Sequence, residues 1–230
     1  TKSYLKKINL RKIKLIGNLK FIENSQDNLD KIDKKLNLQL KKRNIWIASS
    51  THKKEEIFCA ETHLELKKKY KNILTIIIPR HVHRAKEISE EIKTLNLKVA
   101  FHSSKLNKLN EIDVYIVDTF GETKKFHKIA SSVFLGGSII NRGGQNPLEA
   151  ARFGAKIFHG PDTSNFKDIY KLLRSFNASI KINSPKQLAS SIVFKKNKFI
   201  GNKIKKIGKK ILKKTLEELD NHIQNEFKKT

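Results

Sequence analysis

Methionine is missing from the 230 residues altogether, and cysteine and tryptophan occur once each. A complete, unprocessed translation product begins with methionine, so the sequence is expected to be a piece of a longer protein. The lone Cys59 excludes an internal disulfide and a cysteine zinc site, and with them disulfide scaffolds and zinc fingers. Also absent is any run of about 18 apolar residues, the length that a membrane-spanning helix needs. Thr1 to Lys14 is too charged for a signal peptide. A reducing, cytosolic setting fits these absences, for a chain that is soluble or peripheral. What is present, 38% hydrophobic and 31% charged residues, suffices for one large domain or half of a two-domain protein and excludes wholesale disorder.

Acidic residues are few, 22 against 49 basic ones, which leaves a net charge of +27. Such an excess ordinarily suggests nucleic acid or anionic membrane, because clustered cations release counterions from phosphates. Arginine, however, is scarce as well: 42 of the cations are Lys and only 7 are Arg. With Ile and Asn also abundant, this is the composition of drift toward A/T-rich codons. Bidentate phosphate recognition favours Arg, so the Arg positions carry more information than the many Lys. No RNP, KH or zinc-finger signature occurs, and four Tyr and one Trp offer little stacking surface, so nucleic acid is not the expected partner.

Residues 1–44 are irregular and are read as a linker and incomplete leading segment. From Ile45 to about Lys195, short apolar runs alternate with segments of helical period. Strands are predicted at Ile45 to Ser49, Ile73 to Ile78, Leu97 to Phe101, Asp113 to Val117, Ser132 to Leu135, Ala155 to Phe158 and Ala178 to Ile182. Helices are predicted at Lys54 to Tyr70, Arg84 to Leu95, Thr123 to Ala130, Pro147 to Phe153, Phe166 to Ser175 and Pro185 to Phe194. The alternation predicts an α/β fold, a Rossmann-like parallel sheet with helices on both faces. Residues 196–230 form a tail in which Ile200, Ile204, Ile207, Ile211, Leu219, Ile223 and Phe227 follow the stripe of an amphipathic helix. Its opposite face is largely Lys, so it suits packing on its own protein or lying on anionic lipid.

In open parallel sheets ligands bind beyond the carboxyl ends of the strands. Those positions hold Ser50-Thr51-His52, Arg80-His81, Gly121-Glu122 and Gly136-Gly137-Ser138. The richest segment continues through Arg142, Gly143, Gly144, Gln145 and Asn146 to Glu149. Its glycine pairs let backbone approach a ligand closely. Asn146 is expected as a helix N-cap with Pro147 at the first helical position, and the helix amides are expected to hold a phosphate. Glu149, on the first turn, is placed to accept hydrogen bonds from a ribose. Neither the P-loop nor Gly-x-Gly-x-x-Gly is matched, which leaves a nucleotide-phosphate site of another kind. In Pro79-Arg80-His81 a cation follows an all-apolar strand directly and fits a phosphate ester. His52, His81 and His83 lack metal-ligand spacing, so no metal is expected; Cys59 is expected to be buried and inert.

Trp46 to His52 with Glu55-Glu56, Ile78-Pro79-Arg80-His81, Asp118-Thr119-Phe120-Gly121-Glu122, Gly136-Gly137-Ser138 through Arg142-Gly143-Gly144 to Asn146-Pro147-Leu148-Glu149, and Gly160-Pro161 ahead of Asn165-Phe166 together resemble the carboxyl-terminal half of bacterial 3-deoxy-D-manno-octulosonic acid (Kdo) transferases. The resemblance runs from about Leu15 to Phe194 in consistent order. It implies the nucleotide-sugar-binding half of a GT-B glycosyltransferase, with CMP-Kdo as donor and no cofactor or metal. The implied donor site comprises Arg80, His81, Gly121, Glu122, Gly136, Gly137, Ser138, Arg142, Gly143, Gly144, Asn146 and Glu149, joined by Ser50, Thr51, His52 and Gln145. It further implies inverting transfer to a lipid A precursor at the cytoplasmic face of the inner membrane, with the acceptor site and general base in an amino-terminal half that nothing here matches. Leu15 to Phe21 resembles the family's interdomain linker. Two departures stand out: the family usually has His where Gln145 stands and Pro where Asn141 stands. Another GT-B enzyme acting on a UDP-sugar, a basic nucleic-acid-binding module, and a membrane-surface module remain the alternatives.

Overall fold

The computed structural model describes residues 13–22, 31–104 and 108–227. The basic stretch before residue 13, residues 23–30 of the expected linker and the last three residues of the tail lie outside the described residues. The chain divides into two compact units, Asn28–Asn202 and the pair Thr1–Asp27 with Lys203–Thr230.

The larger unit is built on seven parallel strands, β1 (Asn44–Thr51), β2 (Ile73–Pro79), β3 (Val99–Phe101), β4 (Val114–Ile116), β5 (Ser132–Leu135), β6 (Lys156–His159) and β7 (Ser179–Lys181). Their order is β3-β4-β2-β1-β5-β6-β7. All lie within two residues of the strands predicted from the apolar runs. The central β2, Ile-Leu-Thr-Ile-Ile-Ile-Pro, is buried along its whole length, as a strand covered on both faces must be. Ile47 of β1 pairs with Ile76 on one side and Val133 on the other.

Eight helices complete the described chain: α1 (Lys34–Leu40), α2 (Glu55–Lys67), α3 (Ala85–Lys93), α4 (Thr123–His127), α5 (Leu148–Arg152), α6 (Lys167–Ser175), α7 (Pro185–Ser191) and α8 (Lys198–Phe227). On one face of the sheet Trp46, Ala48, Ile77 and Phe134 form a core with Cys59 and Leu66 of α2, Ile88 and Ile92 of α3 and Leu188 of α7. On the other, Tyr115 of β4 lies 6.4 Å from the Phe126 ring of α4, and His159 of β6 lies 4.5 Å from the Tyr170 ring of α6. The expected doubly covered sheet is therefore the one observed. Cys59 is fully buried, and burial beside Glu55 and Glu56 pushes its thiol well above the ordinary value, which leaves it unreactive.

Caps explain several boundaries. Ser184 accepts from the Gln187 N–H with Pro185 at the first turn of α7, and the Gln187 side chain accepts from the Asn183 N–H, a reciprocal box. The leading segment differs from a plain linker: Asp33 caps α1 by accepting from the Lys35 and Leu36 amides, and Leu40 is buried. Arg43 then donates to the carbonyls of Asn72, Ile73, Leu109 and Ile112, tying the amino ends of the central strands. One of the seven arginines is thus structural.

In the smaller unit, a short turn at Leu19–Phe21 is capped by Asn18 and buries Phe21. Ile204 is buried, Lys14 pairs with Glu218, and Gly208 lets the helix backbone approach the Phe21 carbonyl. The apolar stripe expected on the tail divides: Ile204 is buried, whereas Leu219 and Ile223 remain about half exposed, as does Leu216, which the stripe did not include. No helix among the described residues is long and apolar enough to cross a membrane.

Candidate functional site

The strand order reverses between β1 and β5, and the loops leaving these two strands meet there. β1 is irregular between Ser49 and Thr51, where Ser50 takes a positive φ of 55°. This turns the Ser50 carbonyl onto Gly136, where any Cβ would collide with that oxygen and lie 2.7 Å from the Thr51 Cα. Only glycine allows the two loops to touch. The Thr51 carbonyl also accepts from the Arg80 N–H at 2.9 Å, joining the loop after β2.

The crossing is held by a carboxylate. Glu55, fully buried at the start of α2, accepts from the amides of Gly137 (2.7 Å), Ser138 (3.1 Å), Ile139 (3.0 Å) and His52 (3.0 Å). Burial pushes its carboxyl above the ordinary range, and the amide hydrogen bonds offset part of that rise. The Gly136 to Ser138 amides, part of the donor site that the resemblance implies, are therefore already engaged within the protein. Gly136 donates to the Ser49 carbonyl, and Gly137 and Ser138 donate to Glu55. The Ser138 hydroxyl is also committed, donating to the Leu135 carbonyl and accepting from the Gly160 N–H, in a residue with no exposure. Thr51 is fully buried too, so its side chain does not reach a ligand.

What the crossing presents outward is positive charge. At Gly137, with φ of 67°, a Cβ would sit in ordinary contact with the side chains of Arg142, Gln145 and His52, at 3.4 Å from Arg142 Cβ and 3.5 Å from Gln145 Nε2 and His52 Cδ2. The His52 ring lies 6.0 Å from that of His81, which lies 5.6 Å from His83. Its Nε2 is a buried atom without a hydrogen-bond partner among the described residues. Burial, and then His81, Arg142, Arg80 and Arg84, lower the proton affinity of His52, the signature of a cluster of like charges. Arg80 and Arg142 are exposed, and neither guanidinium has a carboxylate partner among the described residues. Arg80 therefore does not serve as a structural ion-pair partner among the described residues. Arg84 takes that role, pairing with the buried Glu56 at 2.9 Å and with Glu87.

The segment after Gly137 folds back on itself. Gly144 donates to the Gly137 carbonyl and Gly143 to the Asp162 carboxylate, so their amides too are engaged. α5 begins at Leu148, one residue later than expected. Pro147 occupies the cap position, and the Asn146 side chain accepts from the Leu148 N–H at 3.1 Å. With five residues α5 is too short to project the dipole expected of it. Glu149 stands in its first turn as expected, half-buried, with its Oε1 2.7 Å from Nδ1 of His127. Gly121 forms an exposed left-handed turn with no atom close to its open side, and Glu122 pairs with Lys125 at 2.8 Å and lies 3.8 Å from His102.

The sequence reading did not single out three of the groups that build this rim. Glu55 appears in it only as part of a family motif, because Gly137 of the glycine loop that it fastens lies 82 residues further along the chain. Arg84 reads in sequence as an ordinary helix start. His127 lies in a helix pattern with nothing local to mark it.

No family model matches the sequence. Among curated proteins it is 32% identical over 174 residues to a 3-deoxy-D-manno-octulosonic acid transferase of Haemophilus influenzae, a match covering 75% of this chain and 41% of that protein. A transferase of the same name from Rickettsia typhi is 36% identical over 178 residues, covering 77% of this chain and 38% of that protein. The match thus spans about two-fifths of the length of these relatives. Among solved structures, the C-terminal CMP-Kdo binding domain of WaaA from Acinetobacter baumannii superposes with a TM-score of 0.62 at 23% identity, over 76% of this chain and 90% of that one. The sheet is that of the carboxyl-terminal half of a GT-B glycosyltransferase, and in sequence the chain is similar to the Kdo transferases.

Proposed function

We propose that this chain is the donor-binding part of a Kdo transferase. The observation that carries the reading is the pair of unneutralised guanidiniums, Arg80 and Arg142, set with His52 at the switch point of a parallel sheet. Transfer from CMP-Kdo breaks the bond between the anomeric carbon and the phosphate oxygen. Positive charge develops on the sugar while CMP departs as an anion. Fixed cations beside the phosphate stabilise that leaving group more than the ground state and so lower the barrier. Two arginines held by folded loops supply this charge without a metal, so no cofactor is required in the proposal. Gln145, where the family usually has His, offers an amide N–H beside Gly137 in place of an imidazole. Glu149 is assigned to the ribose hydroxyls.

On this reading the acceptor site and general base lie outside these residues. The isolated chain is therefore expected to bind CMP and to transfer Kdo to a lipid A precursor negligibly. The basic, partly apolar α8 supports a peripheral position at the cytoplasmic face of the inner membrane. Calorimetric titration with CMP, UMP and a short RNA at physiological salt tests the reading. Preference for CMP is expected; preference for UMP moves the chain to another GT-B enzyme, and RNA binding that falls steeply with salt makes the Lys excess functional instead.

A further inference from the structure

Behind Glu149 the rim holds two buried residues, His127 and Ser49, that the proposed function does not use and that form a relay with it. His127 of α4, 4% exposed, has Nδ1 2.7 Å from Glu149 Oε1 and Nε2 3.0 Å from the hydroxyl of Ser49 on β1, itself fully buried. Both ring nitrogens are therefore pinned, by residues from two different elements. An ionised carboxylate only accepts, so Nδ1 carries a proton and donates it, while Nε2 meets the Ser49 hydroxyl. Ser, His and Glu occur here in the order of a hydrolase triad, but the serine is at the buried end and the carboxylate at the open one. What the relay delivers to solvent is an oriented acceptor, not a nucleophile. The Glu149 side chain keeps 39% of its exposure, and no hydrogen bond engages its Oε2 among the described residues.

We propose that His127 is the positioning residue for nucleoside recognition: it fixes Glu149 in one rotamer and ionised, so that the free carboxylate oxygen meets the vicinal hydroxyls of the donor's ribose. The inference rests on the assignment of Glu149 to the ribose. The charged groups facing Glu149 fit it. Burial raises its carboxyl, but the His127 hydrogen bond, His127 itself, Lys124 of α4 and Arg152 of α5 outweigh burial and hold it below the ordinary range. A carboxylate so held needs no reorganisation on binding, and each hydroxyl it accepts forms a charge-assisted bond.

The test is calorimetric titration of the full chain with CMP and with its 2′,3′-dideoxy analogue, in the wild type, His127→Phe and His127→Asn. The wild type is expected to prefer CMP by about tenfold or more. His127→Phe keeps its affinity for the dideoxy analogue within about twofold and loses most of the preference. His127→Asn, whose amide can donate from near the Nδ1 position, recovers part of it. A purely structural role would weaken both ligands alike. A wild type without preference overturns the ribose assignment of Glu149; a wild-type preference that survives in His127→Phe overturns the role of His127. A ligand-free readout stands beside it: carbon NMR of the Glu149 carboxyl against pH, where His127→Phe raises the midpoint and an unchanged midpoint refutes the hold on Glu149. If His127→Phe does not fold, Ser49→Ala together with His127→Asn carries the same comparison, with an unchanged preference in both as the refuting result.

Discussion

Replacing Glu55 by Ala separates two accounts of the glycine loop. Four backbone N–H groups converge on this carboxylate at 2.7 to 3.1 Å, and the side chain has no exposure. Each buried donor left without an acceptor costs about 1 to 3 kcal/mol, and water entering the vacated space recovers part of that. The desolvation of Glu55, visible in its raised carboxyl, further reduces what the cluster contributes. A net loss of about 3–6 kcal/mol follows. With a urea slope of about 2 kcal/mol per molar, this moves the unfolding midpoint down by roughly 1.5–3 M. Fluorescence of the buried Trp46 reports the transition. CMP affinity should fall with it, because the loop that orients Arg142 is no longer fastened. A midpoint within about 0.3 M of wild type would refute the reasoning. So would a stable variant that binds CMP more tightly, since that is what freeing the amides for a phosphate would produce.

The other perturbations probe charge. Arg80→Ala and Arg142→Ala should each weaken CMP binding by at least about tenfold in calorimetry while leaving the thermal midpoint unchanged, because neither guanidinium has a carboxylate partner to lose; Lys at either position restores only part. Asp113, receiving His63, Lys67 and the Lys98 amide, is held well below the ordinary carboxylate range, although burial opposes this. Its stabilisation is complete above the unfolded-state value near 4 and is lost progressively as pH falls from there through the much lower folded-state value, so Asp113→Asn should cost about 2–3 kcal/mol at neutral pH and steadily less as pH is lowered below about 4 in urea titrations. Changing the exposed Leu216, Leu219 and Ile223 of α8 to Ser should reduce cosedimentation with anionic liposomes, and unchanged association counts against this stripe as the membrane contact.

The strands were legible because a parallel sheet covered on both faces writes itself as short apolar runs, Ile73 to Ile78 most plainly. α1 was not, since Lys34–Leu40 is a short helix of mixed polarity whose one clear signal is the Asp33 cap. At the site, Arg80 could be read from its neighbours: a proline and an apolar strand leave the cation little freedom. The assignment of amides could not. Whether the N–H groups of Gly137 and Ser138 face a ligand or a protein carboxylate depends on α2 returning Glu55 to the loop, 82 residues away from Gly137 in sequence. His127 was hidden for the same reason, as its two partners come from β1 and α5 and neither lies within a local pattern.

The net charge of +27 says little about where an anion would bind. What matters is which charges near the crossing are already neutralised. Glu55 is enclosed by amides, Glu56 and Glu87 by Arg84, and Glu149 is oriented by His127. Every acid of the rim named here is thus paired within the protein, while the guanidiniums of Arg80 and Arg142 and the ring of His52 remain without acidic partners among the described residues. Inverting this division, with an arginine bound to Glu55 and the amides left open, would also give a positive crevice. Its cations would then be immobilised in the core and its donors would be weak neutral dipoles. The observed arrangement puts the weak donors to structural use and leaves Arg80 and Arg142 without an acidic partner among the described residues, so in the proposed function these two arginines, and not the surplus of lysines, meet the ligand's phosphate.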